Sequence, residues 1–224
     1  MRKNKIMRFA SLILVLTLLS TSVISGTFAK YTTTAEGSDS ARVAVWGINA
    51  DAVTMDLFTN TYDGTVNAND GDDLIAPGTT KTSNFSIVNT ATLAPEVDYN
   101  VTIDLTGSTI ADSIKNNPDI VWKLDDGAFG TWGDLMTAIL RLSGDTTVEY
   151  VAGTTEKVTK KYEANAIPTE FANGETHGIT WEWKYEDAGK TAAQDELDTT
   201  MGNDAVSGDI EVELVVSITA TQID

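Results

Sequence analysis

The feature that most constrains this fold is a strict two-residue alternation of apolar and polar side chains over residues 97–105. Successive side chains of a β-strand point to opposite faces, so the segment predicts a strand with one face in a core and the other in water. A second long alternation covers residues 210–218. We expect these two segments to supply the main core face, through Val97, Tyr99, Val101, Ile103 and Leu105 and through Ile210, Val212, Leu214, Val216 and Ile218.

Shorter segments extend this β-rich pattern along the chain. Period-two alternation predicts further strands at 41–48, 53–58, 84–89, 120–124 and 178–185. Residues 147–151 and 156–162 are typical of a hairpin around Gly153. The aperiodic, polar stretch 186–208 predicts a long loop.

The middle of the chain predicts one or two short helices. The first spans about 109–117 and ends before Pro118, which cannot continue a helix. The second begins at Thr131 as N-cap, with Asp134 at N3, and ends at 143–145. Because strands dominate and no βαβ rhythm occurs, the expected fold is mainly β, an antiparallel jelly-roll-like β-sandwich with one or two short helices inserted in the middle section.

The first 29 residues have the layout of a secretory signal peptide. Arg2, Lys3, Lys5 and Arg8 give a basic start, an apolar run covers 9–24, and Thr27 and Ala29 are the small residues that precede a cleavage point. The alternative is a retained membrane anchor, but the apolar run is short for a span of about 20 residues. We therefore expect cleavage between Ala29 and Lys30 and a secreted product.

This reading divides the chain into a signal peptide at 1–29, an N-terminal arm at 30–44 and a β-sandwich domain at 45–224.

The leader contains four of the 15 basic residues and none of the 33 acidic ones, so the mature chain has 11 basic against 33 acidic residues, a formal charge of −22. Such a charge argues against nucleic acid and anionic membranes as partners. Because cysteine is absent, disulfides and thiolate metal sites are excluded.

Three stretches taken together resemble the TasA/camelysin family of secreted Gram-positive surface proteins. The first is the junction 25–31, followed by Ser-Ala-Arg-Val-Ala at 40–44 and by Trp-Gly at 46–47. The second is Ala-Pro-Gly-Thr at 76–79, with the strands at 85–90 and 97–105, and the third is the final Ala-Thr-Gln at 220–222. Residues 108–162 resemble the family in position only. The resemblance implies export through a dedicated signal peptidase, a jelly-roll fold, and fibres at the cell surface or in a biofilm matrix.

The function that we expect is that of a secreted structural protein assembling into extracellular fibres by donor-strand addition. The free arm, which begins at Lys30 and Tyr31, would fill an open sheet edge of the next subunit by β-augmentation. Arg42, Val43 and Val45 would set the register in that groove. The partners are other copies of the chain, head to tail, and further matrix proteins.

The alternatives are a monomeric surface protein or metalloprotease of the camelysin type, and a carbohydrate-binding β-sandwich. A zincin needs two histidines one helical turn apart, whereas this chain has only His177, in a sequence that predicts a solvated turn. The sugar reading would use Trp181 and Trp183, which alternate with the apolar face of a predicted strand and so favour the core. We therefore expect no enzyme activity, no catalytic residue and no cofactor.

The acidic loop at 67–73 could hold Ca²⁺ through carboxylates and carbonyl oxygens. It lacks the bidentate glutamate that closes an EF-hand loop, and a simple acidic turn is the favoured interpretation. We assign no metal site to it.

Overall fold

Antiparallel β-structure dominates the residues that can be described. The computed structural model describes residues 55–62, 66–67, 73–86, 94–167, 176–185, 190–207 and 210–223. These all belong to one compact unit, which lies within Arg42–Asp224. The predicted signal peptide, the arm, the strand at 41–48 and most of the acidic loop at 67–73 lie outside the described residues.

The strands and helices follow one another in the order that the labels below give. They are β1 Thr61–Tyr62, β2 Val66–Asn67, β3 Thr80–Ser86, β4 Tyr99–Asp104, β5 Thr109–Ile110, α1 Asp112–Lys115, β6 Ile120–Leu124, α2 Trp132–Arg141, β7 Lys157–Tyr162, β8 Thr176–Trp183, α3 Ala192–Asp204, β9 Val212–Glu213 and β10 Ser217–Gln222.

Two three-stranded antiparallel sheets contain the longer strands. One has the order β10-β4-β7, with Thr102 of β4 opposite Thr219 of β10 and Thr159 of β7. The other has the order β3-β8-β6, with Trp181 of β8 opposite Lys81 and Trp122. Two short ladders, β1–β2 and β5–β9, complete the pairing among the described residues.

The strand predicted most strongly is confirmed as β4. Tyr99, Val101 and Ile103 are almost fully buried, and the residues between them are partly exposed. Tyr99 also stacks on Tyr162 of β7, with ring centroids 5.5 Å apart. The predicted face therefore lies in the core, as a period of two requires.

The C-terminal alternation is confirmed, but it forms two strands rather than one. Even-numbered side chains from 210 to 222 are the less exposed ones throughout. β9 pairs with β5, whereas β10 pairs with β4, and the residues between β9 and β10 belong to neither ladder. The C-terminal segment thus pairs first with β5 and then with β4, while its even-numbered side chains stay on the side of the core.

The predicted helix after Thr131 is confirmed as α2. Thr131 N–H donates to Asp134 Oδ2 at 2.7 Å, and Asp134 N–H donates to Thr131 Oγ1 at 3.2 Å. This reciprocal capping box satisfies donors that the first helical turn leaves open. The helix buries its apolar face in the core, through Trp132, Leu135, Met136, Ile139 and Leu140.

Two predictions about strands are wrong, and a third, the strand at 178–185, is confirmed as β8 except at its ends. Residues 147–151 and 156–162 form no hairpin, because β7 pairs with the distant β4 and only an isolated bridge joins Val151 to Thr155. Long-range pairing buries the apolar face of β7 against β4, which a local hairpin would not do. The described part of 53–58 is not a strand, although Leu57 is buried. The strand predicted to reach Tyr185 ends at Trp183, and Tyr185 is 64% exposed.

The predicted loop at 186–208 is also wrong, because it contains the 13-residue helix α3. Only Asp198 and Met201 of this helix are buried, so its sequence has no apolar stripe to reveal it. Among the described residues, none of the helices has the length and apolar character that crossing a membrane would require.

Candidate functional site

The residues that the sequence assigned to processing and assembly cannot be placed. Ala29, Lys30, Tyr31, Arg42, Val43 and Val45 all lie outside the described residues. The assembly hypothesis also requires an open sheet edge that could accept the arm, and the described residues include the edges of two three-stranded sheets.

The edge strand β10 carries no charged side chain. Its sequence is Ser-Ile-Thr-Ala-Thr-Gln, in a chain with 33 acidic residues. Proteins usually protect an edge strand with lysine, proline, a bulge or a covering segment, because unpaired N–H and C=O groups invite another strand. β10 has neither lysine nor proline.

The register shows which backbone groups of β10 point outward. Ile223 N–H donates to Asp98 O at 3.0 Å, which fixes the hydrogen-bonded pairs of the ladder. Because such pairs alternate in an antiparallel ladder, Thr219 and Thr221 bond to β4, while Ile218, Ala220 and Gln222 direct their N–H and C=O groups away from it. Within the described ranges no backbone group pairs with these three residues.

The opposite edge of the same sheet is protected. β7 carries Lys157, Lys160 and Lys161. Lys157 Nζ lies 2.8 Å from Asp104 Oδ2, and Lys161 Nζ lies 2.8 Å from Asp98 Oδ2. Edge lysines of this kind oppose the addition of a further strand.

The edges of the second sheet are less open than β10. Trp122 of β6 exchanges two backbone hydrogen bonds with Gly130, at 2.9 and 2.8 Å, so part of that edge is covered. β3 carries Lys81, whose Nζ lies 2.8 Å from Asp56 Oδ1 and donates to Phe58 O at 2.6 Å. Of the four edges of the two three-stranded sheets, β10 is thus the best candidate to accept a strand.

His177 does not lie in the solvated turn that the sequence predicted. It is part of β8, opposite Phe85, and is only 5% exposed, because the alternating strand begins earlier than its apolar residues indicate. Its Nδ1 lies 2.9 Å from Asp125 Oδ2, and Asp125 Oδ1 accepts the Gly178 N–H at 2.7 Å. The described residues contain no group of three His, Asp or Glu side chains arranged to hold a metal ion.

The two tryptophans considered for sugar binding lie in the core, as their alternation favoured. Trp181 is fully buried and donates to Leu57 O at 2.8 Å, and Trp183 is 4% exposed and donates to Asp198 Oδ1 at 3.0 Å. A sugar platform needs exposed ring faces, so these side chains do not form one.

Sequence reasoning missed a buried ionic cluster where α3 meets the start of β6. Lys190 Nζ lies 2.7 Å from Asp198 Oδ2, 3.4 Å from Asp119 Oδ2 and 3.4 Å from Asp195 Oδ1. The side chains of Lys190, Asp119 and Asp198 are at most 8% exposed, whereas Asp195 is 68% exposed. Gln194 Nε2 donates to Asp119 Oδ1 at 2.8 Å.

One signal in the sequence could have revealed this helix. Thr191 and Gln194 have the spacing of a capping box, and Thr191 N–H does donate to Gln194 Oε1 at 2.9 Å.

Comparisons of the chain with protein-family models, with curated proteins and with solved structures find no match.

Proposed function

We propose that this chain is a secreted structural protein that assembles into extracellular fibres by donor-strand addition. The arm at 30–44 of one subunit pairs with β10 of the next. In this proposal the chain is a member of the TasA/camelysin family, its sheets form a jelly-roll sandwich, and the fibres belong to a cell surface or biofilm matrix.

The uncharged edge of β10 is the observation that carries the proposal. Main-chain hydrogen bonds supply the affinity in β-augmentation, so the acceptor needs free backbone groups more than particular side chains. On the side away from β4, the backbone groups of Ile218, Ala220 and Gln222 have no partner among the described residues. The lysines of β7 oppose the addition of a strand at the other edge of the sheet. The donor strand of the next subunit would therefore add at β10 only.

The lengths of the two segments are compatible. The six residues of β10 extend over about 20 Å, while the 15 residues of the arm can extend to roughly 50 Å. The arm can therefore pair along all of β10 and still supply a connection to its own subunit. Because donor and acceptor are different surfaces, the contact is head to tail and repeats into a filament.

A charge placed on β10 tests this assignment. Thr219 and Thr159 form a matched pair, since both are exposed and both lie opposite Thr102, one on each edge of the sheet. We expect Thr219→Lys to reduce filament yield at least tenfold in electron micrographs and sedimentation, because an edge lysine opposes strand addition. Thr159→Lys should assemble like the wild type.

The proposal fails if both variants assemble equally well while circular dichroism shows each to be folded. Loss of filaments in Thr159→Lys alone would place the acceptor on β7 instead.

A further inference from the structure

We propose that Lys190 and Asp119 form an intramolecular isopeptide bond, with Asp198 as the group that transfers the protons. The bond would join the segment before α3 to the segment before β6. This inference rests on the buried ionic cluster alone and does not depend on fibre assembly.

The two oxygens of the Asp119 carboxylate have different surroundings. Oδ1 accepts a hydrogen bond from Gln194 Nε2 at 2.8 Å. Oδ2 is buried and has no hydrogen-bond partner among the described residues, although Lys190 Nζ lies 3.4 Å away. Among the described residues, Oδ2 is therefore compensated by its ion pair with Lys190 and by no hydrogen bond.

Amide formation would give each oxygen a role. Oδ2 is the oxygen that leaves, and its departure removes the unsatisfied group. Oδ1 stays as the amide oxygen, and Gln194 is placed to stabilise the negative charge that develops on it when nitrogen attacks. Lys190 Nζ lies 3.4 Å from Oδ2, which is bonded to the Cγ atom that the nitrogen would attack, so the amine and the carboxyl group are already held side by side.

Asp198 is held in place to accept protons from Lys190. Its Oδ1 accepts hydrogen bonds from Asn117 Nδ2 at 2.8 Å and from Trp183 Nε1 at 3.0 Å. Its Oδ2 accepts the hydrogen bond of Lys190 Nζ at 2.7 Å. The first oxygen is thus occupied by fixed donors, which leaves the second for proton transfer.

The reaction is a balanced dehydration. Asp198 takes one proton from the Lys190 ammonium and passes it to Asp119 Oδ2, and the free amine then attacks Cγ of Asp119 to form the C–N bond. A second nitrogen proton passes through Asp198 to the same oxygen. The Cγ–Oδ2 bond breaks, one water molecule leaves, and Asp198 returns to its carboxylate form. No oxidant or cofactor is consumed.

The resting state of the cluster makes the bond slow to form. Burial lowers the pKa of Lys190, but the hydrogen bond and charge of Asp198, together with Asp119, outweigh it and leave the pKa above its ordinary value. The Lys190 side chain is therefore charged in most molecules. The reaction proceeds only in the small fraction of molecules in which a proton has moved from Lys190 to a carboxylate. The bond should accumulate after folding.

Mass spectrometry of the folded full chain tests the inference. We expect the wild type, incubated at neutral pH, to be one water molecule lighter than its sequence requires. Trypsin should then yield peptide 116–123 linked to 185–224, because an amidated Lys190 is not cleaved and no Lys or Arg follows it. Lys190→Arg should restore the full mass, since arginine keeps the charge but cannot form this amide.

Two further variants test whether the linkage requires Asp198 and burial, rather than only a lysine close to an aspartate. Asp198→Asn should lose the linked peptides, because the proton acceptor is removed. Lys161→Arg should retain them, since Lys161 and Asp98 are even closer, 2.8 Å apart, but are 49% and 35% exposed to water.

The inference is overturned if folded wild type keeps its full mass and yields separate peptides 185–190 and 191–224. It is equally overturned if the lost water maps to one linear peptide, as a cyclic imide of aspartate would give. Both outcomes are read on the wild type, so a variant that fails to fold does not obscure the result.

Discussion

At the scale of single residues, the polar face of β4 is held by charge and hydrogen bonds to its neighbours. Asp104 Oδ2 accepts from Lys157 Nζ at 2.8 Å, and its Oδ1 accepts from the backbone N–H and the hydroxyl of Thr106 at 3.0 and 2.7 Å. Hydrogen bonds to a carboxylate favour its charged form. The Lys157 ammonium and the two Thr106 donors lower the pKa of Asp104 from 3.8 to about 2.

Replacing Lys157 by methionine should raise the pKa of Asp104 towards 3.8, because its main partner is lost. A depressed pKa means that the carboxylate stabilises the fold above pH 3.8, and that this stabilisation is lost as the pH falls towards 2. NMR titration of the Asp104 carboxyl carbon measures the change. Lys115→Met is the control, since Lys115 lies 3.8 Å from the exposed Asp112. An unchanged Asp104 titration in Lys157→Met would show that the ion pair does not exist in solution.

At the scale of whole elements, α3 depends on a few buried contacts rather than on an apolar stripe. Met201 is 5% exposed, and Asp198 is the other buried side chain of the helix. A neighbouring apolar residue, Leu197, is 51% exposed. Met201 therefore supplies most of the apolar burial that attaches the helix to the rest of the molecule.

Met201→Ala should lower the free energy of unfolding by about 2 kcal/mol, because a buried side chain is truncated and a cavity is left. Leu197→Ala on the same helix should change it by less than about 0.5 kcal/mol, since the side chain is largely in water already. Urea denaturation of the two variants provides the comparison. Equal effects of the two substitutions would mean that α3 does not dock as described.

The elements that were predictable are those whose sequence pattern and packing agree. β4 alternates over its whole length and lies between two partners, and α2 combines a capping box with an apolar face. α3 was missed because its docking is polar, and the pairing of β7 with β4 was missed because neighbouring segments suggested a hairpin. Ladder partners depend on contacts distant in sequence, which a local pattern does not contain.

The candidate sites were predictable where they depend on a local pattern, and were missed where they depend on contacts distant in sequence. The burial of Trp181 and Trp183 follows from alternation, whereas the burial of His177 depends on how far β8 extends and on Phe85 across the ladder. The cluster of Lys190, Asp119 and Asp198 joins residues up to 79 positions apart and leaves no local signature.

At the scale of the whole molecule, the proposed assembly would bring together mature chains of formal charge −22, which repel one another. Backbone pairing at an uncharged edge is suited to this, because its hydrogen bonds do not depend on the sign of surrounding charges. The described core is built around β4 and β8, and the arm at 30–44 lies outside the described residues. We propose that the arm is separable and that the body folds without it.

Electron microscopy of the purified mature chain, with and without residues 30–44, tests that claim most directly. We expect filaments from the complete mature chain, none from the truncated chain, and an unchanged β-rich circular dichroism spectrum after truncation. A synthetic peptide of residues 30–44 should stop the growth of wild-type filaments, because it occupies the same edge. Filaments of the truncated chain, or its unfolding, would contradict donor-strand addition by this arm.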